Sequence, residues 1–192
     1  MPITTLRRAG ARSCRRAADG SVRRMIDDAL AAEAVHDTGV RRLQHAYADV
    51  VNRRAWSELD GLFLPDASVE IDRRAGEPLR LTGGTALGEF IGTSIAQFEF
   101  FEFVILNAHI VFPEGAEAGS AVSRLFMCEI RQTQTSHRSS TAFGLYHDRY
   151  TFDGHRWWFA ERRYHSLART GGDLEVFPLP HHPGIDVPGW DS

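Results

Sequence analysis

The chain has 192 residues, 43% of them hydrophobic and 24% charged, with a net charge of −3. A chain of this length can bury a full core as one domain without a metal or a disulfide. Its two cysteines, Cys14 and Cys128, exclude a disulfide framework and indicate a reducing, cytoplasmic setting, and the longest apolar run, around Phe103 to Leu106, is far short of the roughly twenty residues a membrane span needs.

The charge is unevenly spread. Residues 1–24 hold seven arginines against Asp19, a balance of +6, so the remainder carries −9. The basic segment reads as a disordered extension ahead of Met25, and the acidic remainder argues against a nucleic-acid partner, which would need a basic patch on the folded surface. No membrane partner is expected.

From Met25 to Val35 the chain is Ala-rich and helix-permissive, with a break expected near His36-Asp37-Thr38-Gly39 and Asp37 or Thr38 capping the next helix. There Val40, Leu43, Tyr47, Val50 and Val51 recur at three- and four-residue intervals, one apolar stripe of a helix that runs to about Arg54. Trp56 opens a short helix over 57–64, capped by Ser57 and stopped by Pro65. Val69 and Ile71 alternate with Ser68, Glu70 and Asp72 in a half-buried strand, 67–73. After the breaks at Gly76-Glu77-Pro78 and Gly83-Gly84, Thr85 is placed to cap a third helix with Leu87, Phe90, Ile91, Ser94 and Ile95 near one face. Two long strands follow, 100–112 and 121–134.

The strongest local signal is the hairpin of residues 140–168. Two strand-like runs flank Asp153-Gly154, the pair a type I′ turn favours because both central residues need positive φ. From Thr170 onward a Pro/Gly-rich tail, with His181 and His182, lacks periodicity. Helices first and long sequential strands afterwards indicate an α+β domain over 25–169, with a mainly antiparallel sheet against N-terminal helices, between the extension 1–24 and the tail 170–192.

Particular segments sharpen this. Tyr47-Ala48-Asp49-Val50-Val51-Asn52-Arg53-Arg54-Ala55-Trp56, then Leu62-Phe63-Leu64-Pro65-Asp66-Ala67, Asn107 before Ile110, Gly144-Leu145-Tyr146-His147-Asp148, and Gly154-His155-Arg156-Trp157-Trp158-Phe159 resemble the SnoaL-like branch of the nuclear transport factor 2-like superfamily. The resemblance spans residues 37–168. It implies a curved sheet wrapped as a cone around a central pocket, a homodimer paired through the outer sheet face, and acid/base chemistry without cofactor or metal. The substrate it implies is a hydrophobic cyclic small molecule, the reaction an isomerisation, dehydration, cyclisation or epoxide opening. The superfamily also holds non-catalytic binding or assembly modules and accessory subunits of ring-hydroxylating oxygenases, so fold does not fix reaction. The chain departs from the family pattern at Asn52, where Asp is frequent, and at Phe103, where a dehydratase-type His is frequent.

Candidate site residues follow from alternation. Tyr47 lies on the helix stripe, with its ring toward the sheet and its hydroxyl available as an acid or oxyanion donor; packing alone is the plainer account. Asp148 and His147 are neighbours on a strand and face opposite ways, so either Tyr146, Asp148 and Tyr150 look inward, or Phe143, Leu145, His147 and Arg149 do. In the first phase Asp148 is the expected base; its alternative is a pair with an arginine of the neighbouring strand. Trp157, Phe159, Glu161, Arg163 and His165 share one face, read as inward, with Trp158, Arg162 and Tyr164 outward at the dimer face. Asn52 and Asn107 are the expected ligand-orienting amides, together with Tyr146, Trp157, Phe159, Glu161 and Arg163 as substrate-binding residues, and Asn107 is equally suited to a strand bulge.

Overall fold

The computed structural model describes the backbone of residues 10–171 and 175–176 and the side chains of residues 25–171. Residues 1–9, the side chains of 10–24 with Cys14, and most of the tail with His181 and His182 lie outside the described residues. Helix α1 spans Gly10–Arg53, so helical backbone takes in residues 10–24 and runs without interruption through the expected break at Gly39. The supposed capping residues serve the helix instead: Thr38 Oγ1 donates to Ala34 O, and Asp37 pairs with Arg41 one turn on. Gly39 earns its place by packing, since a Cβ there would lie 2.7 Å from Cδ1 of Trp157.

A 3₁₀ turn, Trp56–Gly61, leads into β1 (Phe63–Ile71) with no side-chain cap from Ser57. A short strand not expected from the sequence, β2 (Leu79–Thr82), pairs antiparallel with β1. Helix α2 (Gly83–Ile95) follows directly; Thr85 donates to the carboxylate of Asp60 and caps nothing. Strands β3 (Phe98–Val111), β4 (Ser120–Thr133), β5 (Ser139–Phe152) and β6 (Trp157–Arg169) complete the main sheet, and β7 (Glu175–Val176) adds to β6. The order is β2-β1-β6-β5-β4-β3, antiparallel except where β1 meets β6.

The sheet is curved, and its concave face takes α1 and α2. The α1 stripe is buried as its spacing predicts, Val40, Leu43, Tyr47, Val50 and Val51 all lying in the core. Gln44, on the same stripe, is equally buried and is satisfied by polar partners described below. The C-terminal end of α1 is fastened to the edge strand β3: Asn52 Nδ2 donates to Phe103 O at 3.0 Å, its Oδ1 accepts from Phe103 N at 2.6 Å, and Arg54 Nη2 donates to Phe98 O. Asn52 thus does for an edge strand what a neighbouring strand would do, occupying both its N–H and its C=O.

The hairpin forms, but not with the expected turn. Asp153 precedes the central pair Gly154-His155, only Gly154 has positive φ, and the Asp153 carboxylate accepts from His155 N, Arg156 N and Trp158 Nε1. These donors pull the Asp153 carboxyl down to about 2.

Candidate functional site

A β-bulge in β6 decides which of its side chains enter the concave face. Tyr150 pairs with Phe159, but the next β5 residue, Arg149, pairs with Glu161, so Ala160 is an extra residue on β6. Strict alternation from Trp157 and Phe159 puts Glu161, Arg163 and His165 inside and Arg162 and Tyr164 outside; the bulge reverses this. Arg162 is 1% exposed and Tyr164 lines the interior, whereas Glu161 and Arg163 face outward, joined at 2.7 Å and flanked by Arg149 at 3.4 Å. Of the three residues expected to face outward for a dimer, only Trp158 does so, with Arg156 stacked 3.5 Å over its ring.

On β5 the Tyr146, Asp148, Tyr150 phase is the inward one. Asp148 is buried and fully engaged: its Oδ1 accepts from Arg162 Nε at 2.8 Å, and its Oδ2 from Arg162 Nη2 at 2.8 Å and from the Tyr150 hydroxyl at 3.0 Å. Behind it, Gln44 Nε2 donates to the Tyr150 oxygen, and Ser123 Oγ joins both. The Asp148 carboxylate therefore faces Arg162 and not the cavity. Burial works against the charge of Arg162, yet Asp148 outweighs it and holds the guanidinium pKa above its ordinary value. The rings of Tyr47, Tyr146 and Phe159 close around that guanidinium at 4.1, 4.1 and 4.3 Å, a desolvated cation–π cage. One donor is left over. Arg162 Nη1 is buried without a hydrogen-bond partner, although such orphans are costly.

Arg162 also lines a cavity of about 400 Å³ enclosed by α1, α2 and strands β1, β3, β4, β5 and β6. Its apolar wall comes from Leu87, Phe90, Ile91 and Ile95 of α2, the predicted face of that helix, with Phe101 and Phe103 of β3. Its polar wall holds Tyr47, Tyr146 and Tyr164, and Glu129 and Arg131 of β4. Burial raises the pKa of all three phenols; Arg162 opposes this at Tyr47 and Tyr146, while the charge of Glu129 adds to it at all three. They remain protonated donors at neutral pH.

The expected residues thus divide. Tyr47 and Tyr146 are brought together on the cavity. Phe159 is buried behind Arg162, stacked on Phe63 at 4.6 Å. Trp157 packs against α1 at the other end of the sheet, with His36 edge-on to its ring. Asn107 is exposed on β3, beside the extra residue Leu106 of a second bulge, the alternative its position allowed. Asn52 is spent on the backbone of Phe103, so the two positions where the family resemblance suggests Asp and His are neighbours here and neither can carry a proton.

Sequence reasoning missed Arg162, Tyr164, Glu129 and Arg131. One signal was available for the polar cluster: Gln44 on an apolar stripe must find buried partners. For Glu129 the alternation of Leu125, Met127, Glu129 and Arg131 along one strand face was also legible. Nothing local announces the bulge at Ala160. Among the described residues, no three His, Cys, Asp or Glu side chains gather as a metal-binding group, and no helix is long and apolar enough to cross a membrane.

The fold is similar to those of several solved structures. A candidate scytalone dehydratase from Novosphingobium aromaticivorans DSM 12444 superposes with a TM-score of 0.66 at 18% identity, covering 79% of this chain and 98% of that one. Hexachlorocyclohexane dehydrochlorinase LinA-type3 from Novosphingobium barchaimii LL02 gives 0.62 at 13% identity, covering 77% and 98%. A candidate aromatic ring hydroxylase from Novosphingobium aromaticivorans gives 0.57 at 18% identity, covering 79% and 94%. At these identities the likeness concerns the fold. No curated protein matches the sequence. The SnoaL-like domain model matches residues 32–163, which cover the helix stripe, β1 to β5 and the first half of β6, and the chain therefore belongs to the SnoaL-like domain family.

Proposed function

We propose that this protein binds a hydrophobic, cyclic small molecule carrying a carbonyl or similar oxygen, and transfers a proton to or from it without a cofactor, in an isomerase- or lyase-type reaction. The observation that carries the reading is Arg162, a permanently charged group that lines an aromatic cavity and keeps one buried donor, Nη1, without a hydrogen-bond partner among the described residues. A ligand oxygen there satisfies the orphan donor, and charge developing on it faces a fixed cation in a water-poor site. Tyr47 and Tyr146, kept protonated by burial, stand beside it as further donors. The structures similar in fold include a candidate dehydratase and a dehydrochlorinase, both named for eliminations, which supports the same class. Asp148 orients and charges Arg162 in this reading and takes no proton itself.

A matched pair of ligands tests it. 2-Tetralone and tetralin share a carbon skeleton and differ in the ketone oxygen. Calorimetry is expected to show saturable binding of both, with the ketone tighter by roughly 10- to 100-fold, the range of a hydrogen bond to a charged group. The double variant Arg162→Met/Asp148→Leu, which removes both charges and leaves neither buried alone, is expected to erase the difference. Equal affinities in the native protein would overturn the proposal. A non-catalytic ligand carrier is the second reading, and the proton-inert Asn52 and Phe103 favour it; it predicts the same binding with no proton transfer.

A further inference from the structure

We propose that Glu129 is the proton acceptor of this cavity, and that the substrate class is a carbon acid: a compound with a C–H bond next to a carbonyl whose oxygen sits on Arg162. The inference rests on the function proposed above and adds the missing base. The other candidates are occupied. Asp148 lies outside the cavity wall and meets three donors, and Asp72, which does line it, accepts from the backbone N–H groups of Arg74 and Ser166. The three cavity phenols are donors. Glu129 is different: it projects into the cavity from the middle of β4, its side chain is 16% exposed, and it lies close enough to Tyr47, Tyr146 and Tyr164 to act on all three electrostatically.

Its geometry suits the role. Arg131 Nη2 holds one carboxylate oxygen, Oε2, and among the described residues no hydrogen bond occupies Oε1. Arg131 is braced in turn against the Phe98 ring at 5.4 Å, so the carboxylate is kept in one orientation with one oxygen available. Arg131 is a positioning residue. Arg162, on β6 of the same concave face with β5 between, supplies the opposite half of the reaction. Glu129 Oε1 takes a proton from the carbon beside the carbonyl, the C–H electron pair moves into the new C=C bond, and the carbonyl π pair moves to oxygen. That enolate oxygen accepts from Arg162 Nη1. Return of the proton to the same carbon is exchange, return to a vinylogous carbon is isomerisation, and departure of a β-substituent with its bonding pair is elimination.

Exchange needs no knowledge of the natural substrate. The full chain is incubated with 2-tetralone in D₂O, and loss of the C1 proton signal is followed by NMR beside an equal concentration of acetate. The native protein is expected to exceed acetate and to saturate with ketone. Glu129→Gln is expected to lose about 100-fold or more of that rate while its tetralone affinity stays within a few-fold, and Glu129→Asp to recover part of it. The outer-face variant Glu161→Gln is expected to match the native protein, and circular dichroism establishes that each variant is folded. A folded Glu129→Gln that exchanges within threefold of native overturns the assignment. So does tight ketone binding with no exchange above acetate in the native protein, which leaves the binding proposal standing. Absence of ketone-selective binding removes both.

Discussion

The concave face of this sheet holds two carboxylate–arginine pairs in different settings, one sealed in the core and one at a cavity, and Arg162 belongs to the first while lining the cavity of the second. Toward the β5–β6 turn, Gln44, Ser123, Tyr150, Asp148 and Arg162 form a buried network in which only one nitrogen lacks a partner. Toward α2, a second carboxylate and arginine, Glu129 and Arg131, stand at the wall of an open cavity. The same pair of residue types therefore has two different uses. A saturated carboxylate deep in the core can only fix and charge its partner, whereas one with a spare oxygen beside empty space can do chemistry. Titratable groups in a cone are to be ranked by their unused valences and not by their depth.

The largest test is alkaline pH, which probes both settings together. The four tyrosines of the chain, three on the cavity and Tyr150 in the network, all have raised pKa values, chiefly through burial. The unfolded chain ionises them near 10 while the folded chain resists, so their contribution is full below pH 10 and is lost as pH rises toward the folded values. Stability is expected to fall above pH 10 with a slope approaching about 1.4 kcal/mol per pH unit for each tyrosine. Absorbance at 295 nm and circular dichroism should change in one cooperative step; phenolate formation without unfolding would show the tyrosines to be accessible.

Asp148→Asn comes next, because it leaves Arg162 charged and buried without its counter-ion. About 3–5 kcal/mol of destabilisation is expected, a fall in Tm of roughly 6–20 °C in thermal denaturation. Gly144→Ala strikes the cavity wall: the new Cβ would lie 2.3 Å from the Tyr164 ring and 2.8 Å from Met127 Sδ. About 1–3 kcal/mol is expected to be lost, together with tetralone binding as the ring is driven toward the cavity. Tyr150→Phe removes one hydroxyl from the network and is expected to cost about 1–2 kcal/mol in urea denaturation. The smallest effect belongs to the cavity, where Glu129→Gln is expected to change stability by about 1 kcal/mol, since the amide oxygen still accepts from Arg131. A Glu129→Gln penalty as large as that of Asp148→Asn would erase the distinction between the two settings.

Much of the architecture was legible because it rests on periodicity. The α1 stripe, the cavity face of α2 and the four long strands each follow from 3.6- or 2-residue spacing, whereas alternation left two phases open on β5 and only the structure selects that of Tyr146, Asp148 and Tyr150. The failures have local causes. Gly39 read as a break because a glycine lowers helix propensity, but the indole of Trp157 needs the missing Cβ, a contact between residues 118 positions apart. The strand β2 has only four residues and was hidden between two turn signals. Asn52 looked like a ligand-orienting amide because the resemblance places a functional residue there, and its actual role depends on β3 having no neighbour on that side.

Periodicity was sufficient to determine an α+β order of elements with Tyr47 on the buried stripe of its helix, because burying apolar area rewards a pattern that each segment carries alone, and the cone and the family came from the resemblance of a few segments. The face of β6 was decided only by tertiary structure. One extra residue at Ala160 exchanges Arg163 for Arg162 at the core, and whether a strand bulges depends on its register with two neighbours at once. Glu161-Arg162-Arg163 contains no preference for which arginine turns inward; Asp148 on β5 and the rings of Tyr47 and Phe63 supply it, and they meet only when the sheet closes around the helix.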